Sequence, residues 1–292
     1  DSPYAGPVKM KMDLGVDVLP KFSKDTTDRN RTSPFAFTGN KFEFRMPGSA
    51  ENLSDANTIL NTAVAKELKQ FVADVEGAAD FECAAAAWAK KTLNDHRRVI
   101  FNGNGYTDEW VAEAEKRGLY NLPSTPDCLP QLLADKNVEL FTKHHVFTKE
   151  ELTSRYEIKL ENYVKTIGIE ARTLAEMITK DFLPAVSTYA AEVSKNATAK
   201  KSFMAAADTA SEEALVEKLS TAYTALTAEV TELKTLIDTS FALEDTQKCA
   251  EAFHDQVLAK MEDIRTVASD IEALIPDSIL SYPTYDQLLF SL

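Results

Sequence analysis

Glycine is scarce in this sequence, with 9 residues among 292, whereas alanine, leucine, lysine and glutamate are abundant. The abundant residues are among those with the highest helix propensity. The composition therefore argues against a large sheet and predicts a mainly α protein. Its length suits one large domain or two modest ones.

Basic residues are also in deficit, since 32 lysines and arginines stand against 46 aspartates and glutamates, for a net charge of −14. Such a surface repels phosphate backbones, and the densest basic pairs, which include Arg97–Arg98, are each diluted by nearby acids. Nucleic acid is therefore not an expected partner. No apolar run is long enough to span a bilayer, so direct membrane insertion is not expected either.

Cysteine is rare, and the three cysteines Cys83, Cys128 and Cys249 lie far apart. They match neither a disulfide framework nor the spacing of metal ligands, so we expect buried thiols in a reducing compartment. An initiator methionine is also lacking, because the chain opens with Asp1. A removed presequence and cleavage from a longer chain would each explain that start.

The β signal is confined to the N-terminal part of the chain. Residues 8–19 alternate apolar and polar side chains, as a half-buried strand does. Phe35–Phe37 and Lys41–Met46 indicate two short strands around a turn at residues 38–40. After Pro47 the apolar spacing is that of helices.

Long helices are predicted for the second half of the chain, and three are expected. The first runs from about Thr148 to near Phe182, where a proline follows. The second carries apolar residues from 215 to 237, and the third from 250 to 271, at spacings of four and three residues. This spacing favours antiparallel packing. Residues 118–130, with three prolines and a glycine, are expected to form a loop.

Residues 28–45 hold the candidate chemistry. On a strand, Glu43 and Arg45 point to the same face, with two phenylalanines on the other. A carboxylate and a guanidinium side by side can hold a divalent cation and an anionic substrate together. Arg29 and Arg31, on the preceding loop, could reach a phosphate. The residue types alone equally fit an exposed ion pair on a half-buried strand.

These residues resemble a motif of the glutamine synthetases, in which an Asn-Arg loop precedes a strand with Glu-x-Arg. The loop is Asn30-Arg31 here, the strand is Glu43-Phe44-Arg45, and the run from Arg29 to Arg45 is similar to the type III form. The similarity continues through four further segments: Asn57–Thr62, Arg98–Tyr106, Ser154–Ile158 and Pro283–Tyr285. From about Gly15 onward, the chain therefore resembles the C-terminal portion of a type III glutamine synthetase.

The resemblance implies roles for the motif residues. In that family ATP activates glutamate to a γ-glutamyl phosphate, which ammonia then attacks. Glu43 would be a metal ligand, and Arg31 and Arg45 would be catalytic residues. Arg29, Asn30, Arg31 and Arg45 would contact substrate or phosphate. Mg²⁺ and ATP would serve as cofactors in a complete enzyme.

Most of the family's catalytic apparatus would lie upstream of this motif, including the other metal ligands, the nucleotide loops and a β-grasp domain. One carboxylate cannot hold two divalent ions, which need several oxygens each. The histidines are interpreted as surface or capping residues because none has a partner at ligand spacing; they are His96, His144, His145 and His254. For the isolated chain we therefore expect no cofactor and a vestigial catalytic role for Arg31 and Arg45.

Three functional hypotheses follow. In the first, the chain is a truncated, non-catalytic descendant that serves as a structural or linker subunit. In the second, it is a fragment of an active glutamate–ammonia ligase whose upstream half is on a removed or separate segment. In the third, it is a regulatory module that binds glutamate or nucleotide without turnover. The preserved Arg29–Arg45 run favours the second, and the absence of upstream sequence favours the first, which is the primary interpretation.

The expected fold is mainly α, a long-helix bundle with a small N-terminal β segment left over from a catalytic barrel. The predicted regions are an extended arm (1–14), remnant strands (15–47), a helical region (48–147), the long-helix bundle (148–275) and an aromatic tail (276–292) that docks on a surface. The expected partners are other protein subunits of a large assembly; a membrane-embedded organellar complex contacted from its periphery is one such assembly. The expected compartment is the plastid stroma after removal of a presequence, or otherwise the cytoplasm.

Overall fold

A computed structural model describes residues 11–12, 22–23, 35–37, 42–44, 52–101 and 104–290. The chain separates into two compact units, of which the first ends at Asn121 and the second begins at Leu122. Helices account for most of the described residues in both units. The prediction of a mainly α protein with a small N-terminal β segment is confirmed.

Two pairs of short strands form the β segment. Strand β1 (Lys11–Met12) pairs antiparallel with β2 (Phe22–Ser23), and β3 (Phe35–Phe37) pairs antiparallel with β4 (Phe42–Phe44). Phe37 lies opposite Phe42, so the second pair is the hairpin that the sequence predicts. Of the strand expected over residues 8–19, the structure describes Lys11–Met12 alone.

Three helices of the first unit begin at side-chain caps. They are α1 (Leu53–Val75), α2 (Phe81–Asp95) and α3 (Asp108–Lys116), with a 3₁₀ turn at Arg97–Val99. The side chains of Asn52, Asp80 and Thr107 each accept a hydrogen bond from a backbone N–H of the first turn. Such caps satisfy donors that a helix start leaves unpaired. Helix α3 is longer than the short helix through Trp110 that the sequence predicts.

Aromatic rings hold α1 against α2. Phe71 of α1 meets Trp88 of α2 edge to face, with ring centroids 4.9 Å apart, and Phe81 edge to face at 6.3 Å. Trp88 Nε1 also donates a hydrogen bond of 2.9 Å to Asp74 Oδ2. The pair of helices is therefore fixed by a few contacts at one face.

The expected loop at residues 118–130 is wrong for its second half. Helix α4 (Thr125–Cys128) and a 3₁₀ turn at Leu129–Leu133 occupy it, followed by α5 (Asp135–Lys143). Ser124 caps α4, and Pro126 sits in its first turn. A proline there costs nothing, because the N–H that it lacks would have no partner in the helix.

The prediction that the first long helix ends near Phe182 is also wrong. Helix α6 (Lys149–Met177) passes through a π-helical turn at Ile178–Phe182 and continues as α7 (Leu183–Phe203). The turn contains a bond from the N–H of Leu183 to the carbonyl of Ile178, five residues back. This wider turn lets the helix continue although Pro184 has no N–H to donate.

Helix α8 (Ala210–Phe241) provides the central seam of the second unit. It packs against α7 and against α10 (Ala259–Glu272), which follows α9 (Thr246–Ala252) and a π-helical turn at Phe253–Leu258. The seam has the predicted spacing, and its residues are at most 7% exposed: Leu219, Ala222, Leu226, Val230, Leu233 and Ile237. Short connections on both sides of α8 make these neighbours antiparallel, as the sequence predicts.

One close approach in this core depends on glycine. A Cβ at Gly168 of α6 would lie 2.8 Å from the Cζ atom of Phe241. The ring of Phe241 also packs edge to face on Phe253, with centroids 4.8 Å apart. The missing side chain at Gly168 thus lets the end of α8 approach α6.

The C-terminal segment packs on the bundle in its first part. Tyr282 lies partly buried against the core, and Ser281 Oγ donates a hydrogen bond of 2.8 Å to Asp181 Oδ1. After a 3₁₀ turn at Asp277–Ile279, the short helix α11 (Tyr285–Leu289) begins, and Arg265 donates to the Tyr285 hydroxyl. Phe290 is 81% exposed. The expected docking of the aromatic tail therefore holds for its first residues and not for its end.

We predict that Leu226→Ala destabilises the second unit strongly. Leu226 is fully buried in the seam, and removing a buried leucine side chain costs about 2–5 kcal/mol of unfolding free energy. The control is Ile169→Ala on α6, since Ile169 is 66% exposed and its removal should change that free energy by about 0.5 kcal/mol or less. Urea unfolding followed by circular dichroism measures both. Equal effects of the two substitutions would contradict this packing.

We also predict a loss of stability at alkaline pH that depends on Tyr282. Burial, together with the charge of Glu272, raises the pKa of Tyr282 above its ordinary value. A pKa that is higher in the folded state gives a contribution that is complete below the unfolded value of about 10 and is lost as pH rises above it. Tyr282→Phe should therefore flatten the fall in unfolding free energy above about pH 10. Tyr223→Phe, on α8, should leave that fall unchanged, and an identical fall in all three proteins would contradict the prediction.

Candidate functional site

Of the predicted site residues, the structure describes Glu43; Arg29, Asn30, Arg31 and Arg45 lie outside the described residues. Glu43 is in the middle of β4, directly across from Ala36 of β3. It is half-buried, whereas Phe42 and Phe44 are 59% and 46% exposed. The alternation of faces on this strand agrees with the pattern in the sequence. The roles of the five residues stay predictions.

The described residues do not supply the ligand set of a two-metal site. In the ranges that the structure describes, no three His, Cys, Asp or Glu side chains are close enough together to hold a metal ion. Glu43 alone offers two oxygens, whereas Mg²⁺ requires near-octahedral coordination. Glu43 could therefore supply only one of the ligands that the pair of metal ions implied by the resemblance would need.

Three of the four histidines lie at or just after helix ends, and His254 lies in the π-helical turn Phe253–Leu258. His96 and His144 follow the last residues of α2 and α5, and His145 has a positive φ of 54° just after α5. His254 Nδ1 is 2.8 Å from Asp255 Oδ1, its neighbour in sequence. The one printed side-chain contact among them, that of His254, is thus local in sequence.

The cysteines correct one expectation. All three are free thiols, and Cys249 is buried as expected, but Cys83 and Cys128 are exposed. Cys83 lies in the first turn of α2, where Asp80 caps its backbone N–H. Sequence spacing correctly excludes a disulfide framework, yet it could not tell which thiols face solvent.

A cluster of charges that sequence reasoning missed links two helices of the bundle. Lys260 of α10 reaches Glu229 and Glu232 of α8, with Nζ–Oε2 distances of 2.7 and 2.8 Å. The hydrogen bonds from Glu229 and then Glu232 raise the pKa of Lys260. The amine is thereby kept charged, so this cluster is a structural ion pair and a poor candidate for a catalytic base. The sequence contains no direct signal of this cluster, because Glu229 lies 31 residues before Lys260 and on a different helix.

An exposed apolar stripe runs along α1 in the first unit. Val64, Leu68 and Val72 are spaced four residues apart and are 47%, 58% and 53% exposed. Four-residue spacing places all three on one side of the helix. We call these three residues the α1 stripe. Contiguous exposed apolar surface of this kind marks interaction sites in soluble proteins.

Membrane insertion has no candidate element among the described helices. None of them is long and apolar enough to cross a membrane.

Comparison with known proteins identifies relatives of this chain. Residues 84–201 match the glutamine synthetase C-terminal domain family. The chain is 41% identical over 285 residues to a glutamine synthetase of Butyrivibrio fibrisolvens, with 93% of this chain and 39% of that protein covered. It is 34% identical over 292 residues to a type-3 glutamine synthetase of Dictyostelium discoideum, with 96% and 39% covered. A glutamine synthetase of Bacteroides fragilis (strain YCH46) is 31% identical over 292 residues, with 97% and 40% covered.

Coverage limits what these relatives say about the chain. The chain spans 39–40% of the length of the relatives it matches. Conversely, 93–97% of the chain is covered, so the aligned region includes the run from Arg29 to Arg45.

Proposed function

Because the chain is related to the C-terminal portion of type III glutamine synthetases, we propose that it acts as a non-catalytic structural subunit of a larger protein assembly. The observation that carries the proposal is the contrast between the two units. The second unit buries a continuous apolar core, whereas the first leaves the α1 stripe exposed. A fold with one finished core and one open apolar face is suited to holding a partner in place.

The core of the second unit supports this role because it closes on itself. Phe182, Leu219, Phe253 and Ile264 are fully buried and belong to one cluster built from α6 to α10. Burial of each such side chain contributes about 1.5–3 kcal/mol relative to leaving it exposed. The bundle therefore has the packing of a stable scaffold in its own right.

The first unit supports the partner-binding part of the proposal. Besides the α1 stripe, Phe42 and Phe44 of the hairpin are exposed on one side of β4. Interfaces use such aromatic and aliphatic residues as anchors. The partner surface is therefore expected to be apolar, and the acidic remainder of the chain would keep the complex soluble.

We predict that the purified chain associates through the α1 stripe. Sedimentation velocity should show concentration-dependent association of the unmodified chain, and Leu68→Glu should weaken it by placing a charge in the apolar contact. Lys66→Gln is the matched control, because it makes the net charge more negative by the same unit at an exposed position on the other side of α1. A chain that stays monomeric at all concentrations, or equal effects of both substitutions, would contradict this interface.

A second candidate function is favoured by the aligned run from Arg29 to Arg45. The chain would then be part of an active ATP-dependent glutamate–ammonia ligase whose other residues lie in sequence upstream of this motif. Glu43 would contribute a metal ligand there, and Arg31 and Arg45 would neutralise charge on the transferring phosphoryl group. Mg²⁺ and ATP would be required by that complete enzyme.

Glutamine formation from glutamate, ammonia and Mg-ATP separates the two candidates. We predict no activity for the purified chain, and none after mixing it with the upstream portion of the Butyrivibrio fibrisolvens relative. The full-length relative is the positive control. Activity that appears on mixing and is lost in Arg45→Gln would overturn the structural role and establish the second candidate.

A further inference from the structure

Three arginines of the first unit line one shallow surface concavity, although they come from two different elements. Arg97 and Arg98 belong to the 3₁₀ turn after α2, and Arg117 follows the last residue of α3; Ile100 completes the lining. In sequence, the Arg97–Arg98 pair is diluted by acids and predicts no basic patch. The fold adds the third guanidinium, which is 19 residues further along the chain than Arg98.

The concavity is held in shape by hydrogen bonds of Arg117. Its Nη1 donates to the carbonyl oxygen of Ile100 at 3.1 Å, which ties the 3₁₀ turn to α3. Its Nε donates to Glu113 Oε1 at 2.7 Å, and its guanidinium lies over the ring of Trp110, 5.3 Å from the centroid. The ring of Phe101 stacks on Trp110 at 3.7 Å between centroids. Arg117 is therefore fixed on several sides and holds the other two arginines near it.

Arg98 is positioned differently from Arg117. One of its guanidinium nitrogens lies 3.8 Å from the place that a Cβ of Gly118 would occupy, where φ is +72°. Within the described ranges, no carboxylate forms an ion pair with Arg98, whereas Arg117 has Glu113. Arg97 and Arg98 are both exposed. Favourable interaction with the C-terminal end of α3 accounts for Arg117, but it does not require the guanidinium of Arg98, which belongs to a separate turn.

We propose that this concavity, lined by Arg97, Arg98 and Arg117, binds a phosphate-type oxyanion. Guanidinium groups present paired N–H donors that match phosphate oxygens, and phosphate carries more than one negative charge at neutral pH. Two negative charges offset the repulsion among these guanidiniums better than the single charge of a carboxylate does, although Arg117 also pairs with Glu113. The site is an exception on a chain with a net charge of −14, and it shares no residue with the Arg29–Arg45 motif. It adds a ligand to the proposed structural role and does not depend on that role.

The test is calorimetric titration of the full chain with inorganic phosphate at low ionic strength. We expect one saturable site per chain whose affinity falls as salt is added. The double variant Arg97→Gln, Arg98→Gln should weaken binding about tenfold or more, because hydrogen bonds between charged groups are lost. The control is Lys90→Gln, Lys91→Gln, which removes the same charge from exposed positions of α2 and should retain the site.

A conservative variant and a second anion test the same site further. Arg98→Lys keeps the charge without the paired donors and should weaken binding partly, so it serves if the double variant does not fold by circular dichroism. Acetate should bind more weakly than phosphate. The proposal would be overturned if phosphate showed no saturable binding, or if acetate bound with equal affinity. It would also be overturned if the Arg97→Gln, Arg98→Gln variant and the Lys90→Gln, Lys91→Gln control lost the same affinity for phosphate. A loss of phosphate binding in Arg31→Gln, with binding kept in the Arg97 and Arg98 variants, would overturn it as well. The phosphate would then bind at the Arg29–Arg45 motif.

Discussion

Burial of one face of α8 is the contact on which the second unit depends. Leu219, Leu226 and Leu233 are completely buried there, and the helices that cover them, α7 and α10, follow or precede α8 through short connections. Helices of this length gain most of their stability from such packing and little from intrinsic propensity. The π-helical turn before Pro184 belongs to the same constraint, because it lets α6 continue into α7 and cover α8.

The first unit shows the opposite balance. Its helices are capped and its aromatic contacts between α1 and α2 are specific, yet the α1 stripe is exposed. The chain covers 39–40% of the length of its relatives, and exposed apolar patches of this kind mark interaction sites. The structural role proposed for this chain requires a partner on that surface. The phosphate concavity requires none.

Much of the fold could be predicted from the sequence because it depends on local signals. Apolar spacing located the seam of α8, Thr148 marked the start of the first long helix, and the resemblance to the C-terminal portion of type III glutamine synthetases is confirmed. What could not be predicted depends on contacts distant in sequence or on tolerance of proline. The helix around Pro126 and the continuation of α6 through Pro184 depend on tolerance of proline. Contacts distant in sequence group Arg117 with the Arg97–Arg98 pair, and Lys260 with its glutamates.

Hydrogen exchange of the purified full chain, followed by mass spectrometry, tests most directly whether the second unit is complete while the first is not. The account predicts that amides in the middle of α8 exchange only by global unfolding, whereas amides of α1 and α2 open at much lower free energy. Substantially stronger protection of α1 when the chain is in its native assembly would agree with a covered α1 stripe. Amides of α8 that exchange as fast as those of α1 in the isolated chain would contradict the account.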